Sequence, residues 1–138
     1  MNNYNEIAVA LILRVFLGIL FVAQGYDKVF KIKIKGVYET FEVPMRPKNI
    51  PHFLLKLSAF FTSYAELIGG LCLIVGIFKF YILYLLGFDL LLVSIAMAML
   101  NPMWDMQFVF PRLVILIALL LIPPTWDFIS IDYFLTKQ

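Results

Sequence analysis

Three ionisable residues, Arg14, Glu66 and Asp89, stand inside three different runs of apolar sequence. A charge near the centre of a bilayer costs on the order of 3 kcal/mol on the gentlest insertion scale, so such groups pair or line a polar site. The chemistry on offer is hydrogen bonding and proton exchange: a guanidinium donates a fork of N–H groups, and a carboxylate accepts them or takes a proton. Counting inward from span ends near Ile7, Phe78 and Phe80 puts Arg14 ~10 Å deep, Glu66 ~18 Å and Asp89 ~14 Å at ~1.5 Å per residue. One ligand-binding or proton-binding layer follows, with Arg14 paired to Glu66. Asp89 is the second acid, and two acids against one arginine leave a carboxylate to hold a proton. The bland alternatives are an ion pair that only locks two helices, and an Asp89 that faces Tyr64, Tyr81 or Tyr84.

Spacing gives the layer its walls. Arg14, Gly18, Phe21, Gly25 and Lys28 recur at steps of three or four and form one helical stripe, whose glycines let a neighbouring helix or a ligand approach. Thr62, Ser63, Glu66, Gly69 and Gly70 form a second stripe of hydroxyls, carboxylate and small residues. A further polar group, Gln24, Asp27, Lys28, His52, Asn101, Asp105 and Arg112, gathers toward the opposite end and reads as interfacial residues reaching for water rather than as a ligand site. His52 is the only histidine and Cys72 the only cysteine. Haem held by two histidines, a histidine-rich zinc site, an internal disulfide and a dithiol couple are thereby excluded within the chain. Nucleotide loops, nucleophile elbows and zinc-protease motifs are absent from the sequence, so no catalytic or metal-ligating residue is assigned and no intrinsic cofactor is expected.

The elements that must position these residues are set by composition. Of 138 residues, 63% are hydrophobic and 14% charged, which is an integral membrane protein's balance rather than a soluble domain's. Apolar runs at about 7–30, 53–78, 80–100 and 108–122 predict an all-α membrane protein, a four-transmembrane-helix antiparallel bundle that takes up residues 1–138 as a single domain. The first run lacks a basic leader and a small-residue cleavage site, so it is expected to be retained. Between 31 and 52, prolines 44, 47 and 51 interrupt helix, and Lys31-Ile32-Lys33-Ile34-Lys35 alternates charge with aliphatic side chains. That connection is either a cap lying on the membrane surface or a solvated basic loop.

The formal charge of +2 is small and its basic residues crowd into this loop, which argues for membrane orientation and against a nucleic-acid partner. Lys28, Lys31, Lys33, Lys35, Arg46, Lys48, Lys56 and Arg112 oppose only Lys79 and Lys137, so both termini are expected to face outward. Trp126, Tyr133 and Tyr4 would then join the outer aromatic belt. The halves share no motif, which disfavours a solute carrier built on inverted repeats.

Arg14-Val15-Phe16-Leu17-Gly18-Ile19-Leu20-Phe21, Gly25 with Lys28, and Tyr64-Ala65-Glu66 followed by Gly69, Gly70, Leu73 and Gly76 together resemble the DoxX family of small four-span bacterial membrane proteins. Arg14 and Glu66 would be the family's polar pair, with Gly18, Gly25, Gly69 and Gly70 packing beside it; Asp89 maps onto no family motif. The resemblance implies a place in the bacterial inner membrane and an accessory role in a redox complex. Relatives include membrane subunits of an archaeal thiosulfate:quinone oxidoreductase, and others are associated with thiol-stress complexes. A quinone headgroup bound, or its proton passed, by the Arg14, Glu66 and Asp89 layer is the expected function, without catalysis by the chain alone. Its partners would be the lipid bilayer and other membrane subunits or a second copy of the chain. The alternative is a structural or chaperone-like subunit with no ligand. Distant eukaryotic relatives put their termini in the cytosol, opposite to the loop charges here.

Overall fold

A computed structural model describes residues 4–45, 49–100, 107 and 109–136. Arg46, Pro47, Lys48, Asn101, Asp105 and Lys137, along with the expected fourth-span start at Phe108, lie outside the described residues. The described chain is helical: α1 (Tyr4–Tyr26), α2 (Lys33–Met45), α3 (His52–Val75), α4 (Lys79–Leu100), α5 (Phe110–Leu121) and α6 (Ile131–Thr136). A π-helical turn, Asp27–Lys31, extends α1, and a single 3-10 turn, Pro124–Trp126, separates α5 from α6. Three helical stretches, Tyr4–Lys31, His52–Val75 and Lys79–Met99, are long and apolar enough to cross a membrane. The expected fourth span is shorter. Helix α5 has 12 residues, or ~18 Å against a hydrocarbon core of ~30 Å.

Local chemistry explains where the helices stop. Gly76 closes α3 in the left-handed region at φ 79°, with its N–H donated to the Cys72 carbonyl, and no side chain would sit there without strain. Pro111 stands in the first turn of α5, where its missing N–H costs nothing, while Pro123 and Pro124 end the run. The loop expected at 31–52 is mostly helix α2, with Pro44 tolerated in its last turn. Val37 and Met45 are buried and Lys33, Lys35 and Glu39 exposed, so this segment packs one face on α3 rather than running free in solvent.

Packing pairs α1 with α3, α3 with α4, α4 with α5, and α5 back with α1. Leu17, Phe21, Leu73, Leu83, Leu86, Leu90, Leu116 and Leu119 fill the centre of that ring. Among apolar helices in lipid the driving force is close packing rather than escape from water, and the α1–α3 seam is the closest. A Cβ on Gly70 would lie 2.7 Å from the Val22 nitrogen and 2.8 Å from the Gly18 carbonyl oxygen. One on Gly25 would meet the backbone of Leu67. These pairs fix the antiparallel register: residue 18 stands level with 70–74, and 25 with 67.

Candidate functional site

The register decides which charges meet. Counting outward from Gly25 opposite Leu67, Arg14 falls level with the α3–α4 turn, whereas Glu66 falls level with residues near 26. They are separated along the axis by roughly eleven residues, or ~16 Å at ~1.5 Å per residue. The expected Arg14–Glu66 pair therefore does not form. Taking Ile7 as level with Phe78 misplaced α1 by about two turns, because α1 continues past the turn that joins α3 to α4.

Arg14 belongs instead to a cluster at the turn end. Its Nη1 lies 3.0 Å from Asp127 Oδ1, and Lys79 Nζ lies 3.1 Å from Asp127 Oδ2. A second guanidinium nitrogen donates to the Ile129 carbonyl. Arg14 is 1% exposed, Lys79 3% and Asp127 5%. Asp127 arrives from the segment after α5, which folds back over the turn. There Asp132 of α6 accepts the backbone N–H groups of Phe78 and Lys79, both at 2.8 Å. That carboxylate satisfies the N-terminus of α4 and complements its dipole. Gly76 lies against Arg14 so closely that a Cβ would collide with the guanidinium, which gives this glycine a second reason to be one.

Glu66 finds a different partner. Lys28, the last member of the stripe begun by Arg14, places Nζ 2.7 Å from Glu66 Oε2 and donates to Thr62 Oγ1 at 3.3 Å. Lys28 lies in the π-helical turn, whose wider winding interrupts the regular helical progression. Asp89 does share a level with Glu66. A Cβ on Gly69 would touch Leu86 at 3.0 Å, and this α3–α4 register puts 66 opposite 89. Asp89 is fully buried, neither of its oxygens has a hydrogen bond of normal geometry among the described residues, and Glu66, Thr62, Lys28 and Arg112 surround it. Tyr81 and Tyr84 turn outward, 76% and 64% exposed, which removes them as its partners. Of the expected layer, then, Glu66 and Asp89 come together and Arg14 does not.

Next to Glu66 opens a cavity of about 510 Å³ bounded by α1, α2, α3, α4 and α5. Phe41, Leu55, Val93, Met97 and Val109 represent its apolar walls, and Gln24, Lys28, Thr62, Glu66 and Arg112 form its polar side. Arg112 Nη1 donates to Gln24 Oε1, and the guanidinium lies 6.0 Å from the centre of the Phe21 ring. Gln24, Lys28 and Arg112, read from sequence as interfacial, are therefore cavity groups. His52 is elsewhere, 2.9 Å from the Tyr38 hydroxyl and 3.7 Å from Glu42. Asp27 pairs with Lys31 at 2.6 Å on the surface. Lys28 was legible, because it ends the Arg14 glycine stripe; Arg112 carried no signal beyond its charge at the start of an apolar run.

Residues 9–100 match the DoxX family. The chain belongs to the DoxX family. No curated protein and no solved structure shows a significant similarity to it. The DoxX match takes in α1 to α4, and with them Arg14, Lys28, Thr62, Glu66 and Asp89; Arg112, Asp127 and α6 lie beyond it. Beside this DoxX core, the last part of the chain supplies one cation of the cavity and the acid that neutralises Arg14. Among the described residues no group of three or more His, Cys, Asp or Glu side chains is placed to hold a metal ion.

Proposed function

We propose that this DoxX protein is an accessory subunit of a redox complex in the bacterial inner membrane, and that its cavity receives the headgroup of a quinone. The observation that carries the reading is the cavity's division into apolar walls and one polar side. A volume of about 510 Å³ lies in the ~300–1,000 Å³ range of small-molecule sites. Quinone oxygens accept hydrogen bonds; Lys28 and Arg112 carry the donors, and the apolar walls suit a ring and the start of a hydrocarbon tail. Gln24 and the Phe21 ring hold the Arg112 guanidinium in place, and Glu66 does the same for Lys28. The ligand-binding role expected of Arg14 passes to these residues, and Arg14 keeps a structural one.

Quinone retention in mild detergent tests this. Arg112→Gln and Glu66→Gln should each retain at least ~10-fold less quinone than the wild type, the factor that ~1.4 kcal/mol produces. Arg14→Gln should retain the wild-type amount per folded molecule. Full retention by a well-folded Arg112→Gln protein would end the quinone reading.

The second reading is an assembly subunit without a ligand, favoured by the seam of Gly18, Gly25 and Gly70, which binds α1 to α3 whatever fills the cavity. On that reading, Lys28→Met and Glu66→Leu each lower abundance, the double replacement restores it, and quinone content never differs. Copurification of the natively expressed chain would name the neighbouring subunit in either case.

A further inference from the structure

Asp89 has no task in headgroup binding. It is 0% exposed, and among the described residues neither carboxylate oxygen has a hydrogen bond of normal geometry, although Thr62 and Glu66 stand beside it. A buried carboxylate left this way is rare, because an ion without hydrogen bonds loses far more solvation than distant charges return. Its nearest acid is Glu66, opposite it in the α3–α4 register, 1% exposed and reaching the cavity. Around the two stand Thr62 on α3, Lys28 at the end of α1 and Arg112 on α5. Lys28 lies against Glu66, and Arg112 is bonded to Gln24. One acid thus faces the cavity and the other is sealed behind it, the arrangement of a carboxyl pair that shares a proton.

We propose that Glu66 and Asp89 form a proton-binding pair behind the cavity, with Asp89 holding a resting proton and Glu66 exchanging a second one with a hydroxyl-bearing ligand. The exchange balances without a redox partner. The ligand O–H bond breaks, its electron pair stays on the ligand oxygen beside Lys28 and Arg112, and an O–H bond forms on a Glu66 oxygen. Asp89 already holds the pair's resting proton, so both carboxyls are then protonated and Lys28 turns from Glu66 to the ligand oxyanion; return of the proton to the ligand oxygen restores the Glu66–Lys28 ion pair. The ligand step rests on the quinone reading, whereas the pair itself does not.

Infrared spectroscopy of the full chain in lipid vesicles separates the two. Near neutral pH and without added ligand, the wild type should show a protonated-carboxyl C=O band that shifts in D2O. Asp89→Asn, which keeps the shape of the side chain, should lose the band, and Glu66→Gln should move it by removing the group that shares the proton. Absence of the band in the wild type, or its survival unchanged in both variants, would overturn the pair. Should Asp89→Asn fail to accumulate, the wild-type spectrum and the Glu66→Gln shift decide the matter alone. Addition of decylubiquinol then tests the exchange: the band should change in the wild type, and an unchanged band with the probe bound would overturn the transfer while leaving the cavity reading intact. Failure of the probe to bind would sink the quinone reading and leave the pair to stand on its own spectrum.

Discussion

The turn-end cluster sets two cations against one acid at the level of single residues. Asp127 touches both Arg14 and Lys79, so the three positions are not equivalent. Asp127→Asn leaves two buried cations facing each other and should cost about 3–5 kcal/mol, the usual result of removing one side of a buried ion pair. Arg14→Gln leaves Asp127 matched by Lys79 and should cost less, about 1–3 kcal/mol. Reversible unfolding in mixed micelles reads both; an Arg14 variant weaker than the Asp127 variant would contradict the shared acid. The residue types of this site were legible in the sequence, and the partners were not. Charges inside apolar runs announce themselves by their cost, which singled out Arg14, Glu66 and Asp89. Asp127 lies in a short polar segment after α5, where an acid is unremarkable.

Helices meet through glycine, and the glycines are unequal. At Gly25 and Gly70 an added methyl meets backbone of the facing helix, which cannot rotate away; at Gly69 it meets the side chain of Leu86 at 3.0 Å, and at Gly87 only Leu116 at 3.7 Å. Gly25→Ala and Gly70→Ala should therefore destabilise by about 1–3 kcal/mol through overpacking. Gly69→Ala should have a smaller effect, and Gly87→Ala should stabilise by about 0.5–1 kcal/mol because alanine orders the helix more cheaply. Thermal unfolding of the four variants ranks them, and equal losses at Gly70 and Gly87 would refute the seam. The element map shows what periodicity carries. The first three apolar runs correspond to Tyr4–Lys31, His52–Val75 and Lys79–Met99, since a spanning helix needs little beyond length and apolarity. Helix α2 escaped because its alternating lysines and isoleucines imitate a strand-like or interfacial pattern, and a proline at 44 suggested an earlier break. Register between helices has no local signature; it emerges from the contacts of Gly18, Gly25 and Gly70, and without it depth counting erred by about two turns.

At the scale of the whole molecule, α1 begins and α6 ends on the same side. Arg14 of α1 lies against Gly76, and Asp132 of α6 caps α4 beside it, so both ends of the described chain converge on the α3–α4 turn. Among the described residues, that face has few basic groups free to hold it in the cytoplasm. Lys79 is 3% exposed and committed to Asp127, as is Arg14. The opposite face presents Lys31, Lys33, Lys35 and Lys56, all exposed. Orientation follows exposed lysine and arginine near the span ends rather than net charge, so the buried ion pairs widen the asymmetry beyond what a sequence tally gives. Both termini should then report from outside when fused to compartment-specific reporters. A cysteine introduced at Lys56 in a Cys72→Ser background should resist impermeant thiol reagents until the membrane is opened. Replacing Lys31, Lys33 and Lys35 with glutamine should produce a mixed population, while Lys79→Gln should leave orientation unchanged because that charge is already spent on Asp127. Termini that report from the cytoplasm, with position 56 labelled from outside, would show that something other than loop charge sets the topology of this DoxX protein.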